Sequence, residues 1–363
     1  MEKPIRARLH VMSPVHIGCD DVYEPTSFVI LKEGDELNLA AFDPMVFVDS
    51  LSDQDKEEFL GICDKGSVAS IVEMMKFIAG KFQPNNIVRV ECSSVLLEHY
   101  KKVRSGKGGK NELNQFQIAR TAYNPHNNLP YIPGSSIKGA IRTAYLNKLA
   151  KESNRLNTDA SKDLENRLLG GQFDTDPLRL LKVSDFVPAG EAKCKIFYAV
   201  NRKKDQGQTA KGPYQILETI RVGTVFSGTI NIDQPLIDKP LKPGGIKTPV
   251  ERDVLLKAIN DFYSSICDDD NEVINRIGAS AFLMPPDIKG KIGRSAFLIR
   301  IGRHSGAEAV TIKGYRKIKI MHKNGGSTNE SCATTLWLAS EESYPDSNVS
   351  LKPFGWAVLE IEQ

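Results

Sequence analysis

Ile5, Ala7, Leu9 and Val11 alternate with Arg6, Arg8 and His10, the period of two that marks a strand with one buried face. A loop with Pro14, Gly18 and the Asp20-Asp21 pair follows, and then a second apolar run at Phe28 to Leu31. The pattern changes at Asp43-Pro44, an N-cap followed by proline at the first helical position, and a second helix is expected after Ser67, with Val68, Ile71, Val72, Met75 and Ile78 on one face. Ile87 to Val90 returns to strand. Residues 101–110 carry five positive charges, no acid and three glycines, which predicts a mobile, RNA-accessible surface loop.

The most regular helical pattern lies at 135–150, where Ile137, Ala140, Ile141, Ala144 and Leu149 form an apolar stripe. A helix over 160–169 is expected to end at Gly170-Gly171. Strands are predicted at 182–186, 195–200, 214–220 and 224–232, a helix capped by Thr248 to Glu251, and final strands at 295–300, 335–338 and 356–361. Helices interleaved with antiparallel-type strands indicate an α+β fold. Its simplest form is ferredoxin-like (RRM-like) modules with helical and loop insertions.

Composition narrows the chemistry. The 363 residues are 40% apolar, enough for a full core. A net charge of only +3 means that any nucleic-acid contact must come from local clustering of cations. The six cysteines contain no C-x-x-C pair, so neither a zinc knuckle nor a disulfide scaffold is supported and reduced thiols are expected. The N-terminus has no apolar leader, and no stretch approaches the roughly 18 apolar residues of a membrane span, so a cytoplasmic protein with no membrane partner is expected.

The segment from Tyr131 to Arg142 carries the most chemistry. A Pro133-Gly134 turn delivers the chain into a helix whose first free N–H groups, with the hydroxyls of Ser135 and Ser136, can hold an anion. Lys138 and Arg142, four residues apart, share one face beside that positive end. Gly139 costs about 1 kcal/mol against alanine, which suggests a close approach by RNA or by a packed strand. A capped core helix with ordinary solvated cations fits the same spacing equally well.

Ile132-Pro133-Gly134-Ser135-Ser136-Ile137-Lys138-Gly139 with Arg142 resembles the central motif of the RAMP superfamily of CRISPR proteins. Leu9 to Gly18, Asp176-Pro177-Leu178-Arg179 with Val183-Ser184-Asp185, Arg300-Ile301-Gly302-Arg303 with Gly306 and Thr311, and Pro353 to Trp356 follow one branch of it in order. That branch is the fifth subunit of type III-A (Csm) effector complexes. The resemblance implies RAMP modules and a non-catalytic subunit that caps the backbone filament near the 3′ end of the CRISPR RNA. It also implies a part in RNA maturation and antiviral defence, with CRISPR RNA, single-stranded target RNA, neighbouring backbone subunits and trans-acting maturation nucleases as partners. No cofactor or metal is implied.

On this resemblance the chain divides into an N-terminal module (1–200) with a helical insertion at 43–80, a basic thumb-like hairpin (201–212) and a β-rich C-terminal module (213–363). Arg202, Lys203, Lys204 and Lys211 in the hairpin would contact phosphates, although composition alone favours a solubilising loop tip. Gly302, Arg303 and Gly306 form a glycine-flanked loop whose amides could cradle phosphate. Lys313, Arg316, Lys317 and Lys319, with Tyr315 as a stacking ring, extend that track. His16, Gly134, Ser135, Ser136, Lys138, Arg142, Arg179 and Arg300 complete the expected RNA-binding set. The rival reading is a RAMP-type endoribonuclease using Asp20, Asp21 or His304, and each of these is more simply a structural or RNA-facing side chain.

Overall fold

In the computed structural model, residues 4–85, 87–107, 109–153, 161–171, 175–210, 212–233, 246, 250–322 and 325–362 are described. The chain opens with strands β1 (Ile5–Val11), β2 (Gly18–Tyr23), β3 (Phe28–Glu33) and β4 (Glu36–Ala41), then helices α1 (Pro44–Asp49), α2 (Asp53–Cys63) and α3 (Val68–Lys81). β5 (Val88–Glu91), α4 (Ser94–Arg104), α5 (Gly109–Gln115) and β6 (Ile118–Thr121) lead to α6 (Gly134–Glu152) and α7 (Ser161–Leu168). β7 (Leu181–Val183), β8 (Val187–Pro188), β9 (Cys194–Lys203), β10 (Gln215–Ile220) and β11 (Val225–Ile232) precede α8 (Arg252–Ile277) and α9 (Pro286–Lys289). β12 (Ala296–Arg300), β13 (Ile318–Met321), β14 (Ser327–Glu330), β15 (Thr335–Ser340), β16 (Lys352–Pro353) and β17 (Trp356–Ile361) end the chain.

These strands make two large sheets. The first has the order β12-β17-β1-β11-β7, with β8 also on β11, and the second runs β2-β6-β10-β9-β5-β4-β3, with β15 on β9. The period of two in β1 buries Ala7, Leu9 and Val11, and Leu9 stands opposite Phe226 on one side and Leu359 on the other. Helices α6 and α8 cover this sheet with Ile137, Ile141, Ala144, Leu255, Ile259 and Tyr263. Tyr263 also donates its hydroxyl proton to the carbonyl of Ala140 at 3.2 Å, satisfying a buried polar group on the helix pair.

The mixed α+β architecture agrees with the sequence pattern, but the division of the chain at residue 200 does not match the sheets. β1 from the N-terminus pairs with β11 and β17, and β9 pairs with β15, so strands from both halves share each sheet. Long-range antiparallel pairing leaves no trace in local periodicity. Between β4 and β5 the structure has three helices where the pattern predicts two: Asp43 and Ser67 accept backbone N–H bonds as N-caps of α1 and α3, α2 lies between them, and residues 44–81 bury Phe47, Leu51, Ile62, Phe77 and Ile78 against Val29 and Ala40, one face of the β3–β4 hairpin.

Three local expectations change. Residues 101–107 are not a loop throughout: Lys101, Lys102 and Arg104 form the last turn of α4, because Leu96, Tyr100 and Val103 bury one helical face and the cations complement the C-terminal dipole. The loop at 13–21 gives way at Gly18 to β2, which is irregular between Gly18 and Val22, with Asp20 at φ +63°. Helix α8 starts on Glu251 without a side-chain cap, and Thr248 lies outside the described residues.

Candidate nucleic-acid interface

The helix start that the sequence singles out is already occupied. Ile132 exchanges two backbone hydrogen bonds with Phe186, at 2.9 and 2.8 Å, and this lays residues 183–186 across the front of α6. The N–H of Gly134 donates to Oδ1 of Asp185 at 2.8 Å, so the protein's own carboxylate fills the anion site of the helix. A Cβ on Gly134 would lie 2.2 Å from the carbonyl oxygen of Val183, so strand packing explains this glycine. Lys138 donates from Nζ to the carbonyl of Leu181 at 2.7 Å, and burial pulls its pKa down, followed by the neighbouring Lys182 charge. Arg142 pairs with Asp176 at 2.6 Å and Glu165 at 2.9 Å.

The two segments 133–142 and 176–185 therefore form a clasp. Lys138 and Arg142 spend their charges inside the fold rather than on a free cradle. Asp176 serves twice, because its Oδ1 also accepts from the N–H of Leu178 and caps the short 3-10 turn at 177–179, on which Arg179 is exposed. What the clasp leaves open is the outer face of α6. Ser135 and Gly139 are exposed, Ser136 is half-buried, and a Cβ on Gly139 would touch nothing within 4 Å. Among the described residues no strand packs there, which leaves an open approach to the helix backbone.

Three other segments meet at a second point. Gly302, at φ +81°, brings its backbone so close to His16 that a Cβ would sit 2.4 Å from the His16 carbonyl oxygen, and the N–H of Arg303 donates to the same oxygen at 2.8 Å. Gly355 donates its N–H to Pro14 at 2.9 Å and accepts from Ile301 at 2.9 Å. The loop at 302–306 is thus fixed between the first and last motif segments. Arg303 stands exposed on it, with no carboxylate partner among the described residues, and Gly306 holds φ +82°.

His16 and Arg300 are corrections to the expected RNA-binding set. His16 is fully buried, with Nδ1 2.7 Å from the Glu218 carbonyl, and burial lowers its pKa. Arg300 is 3% exposed, pairs with Asp270, donates to the Phe354 carbonyl at 3.0 Å and lies over the Trp356 ring. In the hairpin at 201–212, Arg202 is also 3% exposed and holds Asn348, Thr209 and the Pro345 carbonyl at 2.8–3.0 Å. Lys204 is bound to Glu308 at 2.6 Å, Lys203 is exposed, and Lys211 lies outside the described residues. Each inward arginine sits on a strand position facing the core, where a charge must find partners.

The basic stretch after residue 306 lies against α6. Asn147 joins them: its Oδ1 accepts from the N–H of Lys313 at 2.7 Å, and its Nδ2 reaches the Thr311 carbonyl at 3.4 Å. Lys313, Lys317 and Lys319 are exposed, Tyr315 is half-buried, and Arg316 donates to the Glu308 carbonyl at 3.0 Å. Strands β13 and β14 then form a two-stranded ribbon that pairs with neither large sheet. The Asn324-Gly325-Gly326 turn signal between them is visible in the sequence, but the polar strand Ser327–Glu330 lacks the alternation that identifies strands.

Asp20 and Asp21 are exposed on β2, and the Asp21 carboxylate accepts from the Tyr123 hydroxyl at 2.7 Å. Tyr123 stacks beneath the Arg120 guanidinium at 3.4 Å, and Arg120 approaches the buried Glu218 at 3.9 Å. Burial pushes the Glu218 carboxyl up, against the opposing pull of Arg120. Sequence spacing gave no signal for this set, since its members come from three distant strands and a loop. His304, at φ +64°, packs on Trp337 and Phe354, and burial, then Arg303 and His16, push its pKa down to about 4. Among the described residues no group of three His, Cys, Asp or Glu side chains is placed to hold a metal. The surface is equipped to hold a polyanion through cations and open backbone.

Comparison with known protein families matches residues 8–246 to the RAMP superfamily. A curated relative, CRISPR system Cms protein Csm5 of Methanocaldococcus jannaschii, is 28% identical over 196 residues, which is 50% of this chain and 42% of the relative. The chain therefore spans less than half of that relative in the match. Among solved structures, a chain of a Csm-crRNA-target RNA ternary complex from a type III-A CRISPR-Cas system is similar at TM-score 0.65 and 19% identity, covering 99% of this chain and 100% of that one. T. onnurineus Csm5 is similar at TM-score 0.54 and 17% identity, covering 97% and 99%.

Proposed function

The chain belongs to the RAMP superfamily, and from that premise we propose that it is a non-catalytic, RNA-holding subunit of a type III-A (Csm) effector complex. It caps the backbone filament near the 3′ end of the CRISPR RNA and serves RNA maturation in antiviral defence. Its partners are CRISPR RNA, target RNA, neighbouring backbone subunits and separate maturation nucleases, in the cytoplasm. The likeness to Csm5 relatives supports membership of such a complex.

One observation carries the RNA assignment: the open face of α6 at Ser135 and Gly139 continues through Asn147 into the exposed cations of 313–319. Backbone that can be approached closely, flanked by unburied cations, suits a phosphodiester chain whose sequence is not read. Ser135, Ser136, Gly139, Arg303, Gly306, Lys313, Lys317 and Lys319 form this surface, with Arg179 and Lys203 as outlying contacts. Lys138 and Arg142 shape it from within, as do His16, Arg202, Gly302 and Arg300.

Among the described residues no geometry favours the endoribonuclease reading: Asp21 is engaged by Tyr123, and His304 packs on Trp337 and Phe354. The test is incubation of the purified chain with labelled single-stranded and repeat-containing RNA, with and without Mg²⁺. The proposal expects salt-sensitive binding and intact RNA. Cleavage that disappears in Asp20→Ala, Asp21→Ala or His304→Ala would defeat it.

A further inference from the structure

A groove runs between α3 and α4. Its floor is aliphatic: Val68, Val72, Val103 and Leu113 line a cavity of about 390 Å³. Lys76 and Ser105 also line a second cavity of about 480 Å³, whose other walls are Lys101, Arg104, Ala79 and Gly80. The two are therefore one trough, apolar at one end and cationic at the other. The cationic end is open at Gly80, where a Cβ would meet nothing within 4 Å.

The charge around the trough is unbalanced. Lys76 has no carboxylate partner among the described residues, Arg104 lies over the Tyr100 ring at 5.3 Å, and Lys101 shares only the exposed Glu98. Glu73, the one acid among the described residues that line the trough, is held by Lys65. Packing explains the inner faces of α3 and α4, but not three cations gathered around a cavity that adjoins one lined by the exposed Val68.

We propose that this trough docks an acidic, aliphatic segment of a protein partner. The segment's Leu or Ile side chains cover Val68, Val72, Val103 and Leu113, and its Asp or Glu carboxylates meet Lys76, Lys101 and Arg104. RNA fits less well. Among the described residues no aromatic side chain lines either cavity, whereas single-stranded RNA takes much of its binding energy from stacking on aromatic rings. A segment with both aliphatic and acidic groups satisfies both ends of the trough.

The full chain, labelled at Val and Leu methyls, tests this by NMR. The probes are a synthetic helix with Leu on one face and Glu elsewhere, the same helix with Lys for Glu, and a short single-stranded RNA. The Glu helix should shift the Val68, Val72, Val103 and Leu113 methyls. Its affinity should fall at least about tenfold in Lys76→Glu with Arg104→Glu, and by less in the milder Lys76→Gln with Arg104→Gln. The proposal is overturned if the Lys helix binds as well as the Glu helix, if RNA alone moves these methyls, if the charge reversal leaves affinity unchanged, or if millimolar Glu helix shifts none of them.

Discussion

Gly134 donates its backbone N–H to the carboxylate of Asp185 at 2.8 Å, across the point where the most anion-friendly helix start of the chain meets residues 183–186. The contact turns a site suited to phosphate into a joint. Gly134→Ala should cost at least about 3 kcal/mol, because its Cβ would collide with the Val183 backbone rather than a movable side chain. Asp185→Ala should cost about 1–2 kcal/mol as a lost helix cap, and Asp185→Asn less, since the amide oxygen can still accept. Denaturant unfolding of the three variants should give that order.

Arg142→Ala should act on stability as well. It leaves Asp176 and Glu165 without their cation, at a cost of about 1–2 kcal/mol, and Lys138→Ala uncaps the Leu181 carbonyl at about 1 kcal/mol. RNA affinity, measured below the melting transition of both variants, should change less than about twofold. A large affinity loss in a fully folded variant would return these cations to the RNA surface.

Gly139 separates fold from binding. The open space above it lets Gly139→Ala stabilise α6 by about 1 kcal/mol through helix propensity. Gly139→Glu should fold equally well and weaken RNA binding about tenfold by setting a carboxylate on the phosphate path. Thermal unfolding and filter binding on the same preparations check both halves.

The histidines predict acid sensitivity. His304 is held at about 4 in the fold and titrates near 6.5 when unfolded, so between those values the unfolded chain binds a proton that the folded chain refuses. Its contribution is whole above about pH 6.5 and is lost as the pH falls to about 4, a change of about 3 kcal/mol, and His16 acts in the same direction. In His304→Asn, which tolerates the positive φ, stability measured from pH 7 to pH 4.5 should fall less steeply than in the wild-type chain.

Much of this organisation was legible in the sequence. The β1 alternation, the caps at Asp43 and Ser67 and the apolar stripe of α6 each describe a local face, and each is present. The motif segments also come together, since 13–18, 132–142, 176–186, 300–306 and 353–356 meet as two joints. Which way their charges point was not legible. Arg202 and Arg300 are drawn inward by partners that include carbonyls 143 and 54 residues away, and Lys138 and Arg142 find their acceptors 23 or more residues on, so spacing alone described them as a free cationic pair.

The central claim is that RNA is held by exposed cations beside the open face of α6, not by the half-buried cations engaged in its clasp. The direct measurement is the slope of log affinity for single-stranded RNA against log salt concentration. Each phosphate contact contributes about 0.7 to that slope. Arg303→Ala with Lys313→Ala and Lys319→Ala should lower it by about 2, while Lys138→Ala with Arg142→Ala should leave it unchanged. A slope that falls in the second variant and stays the same in the first would contradict the claim.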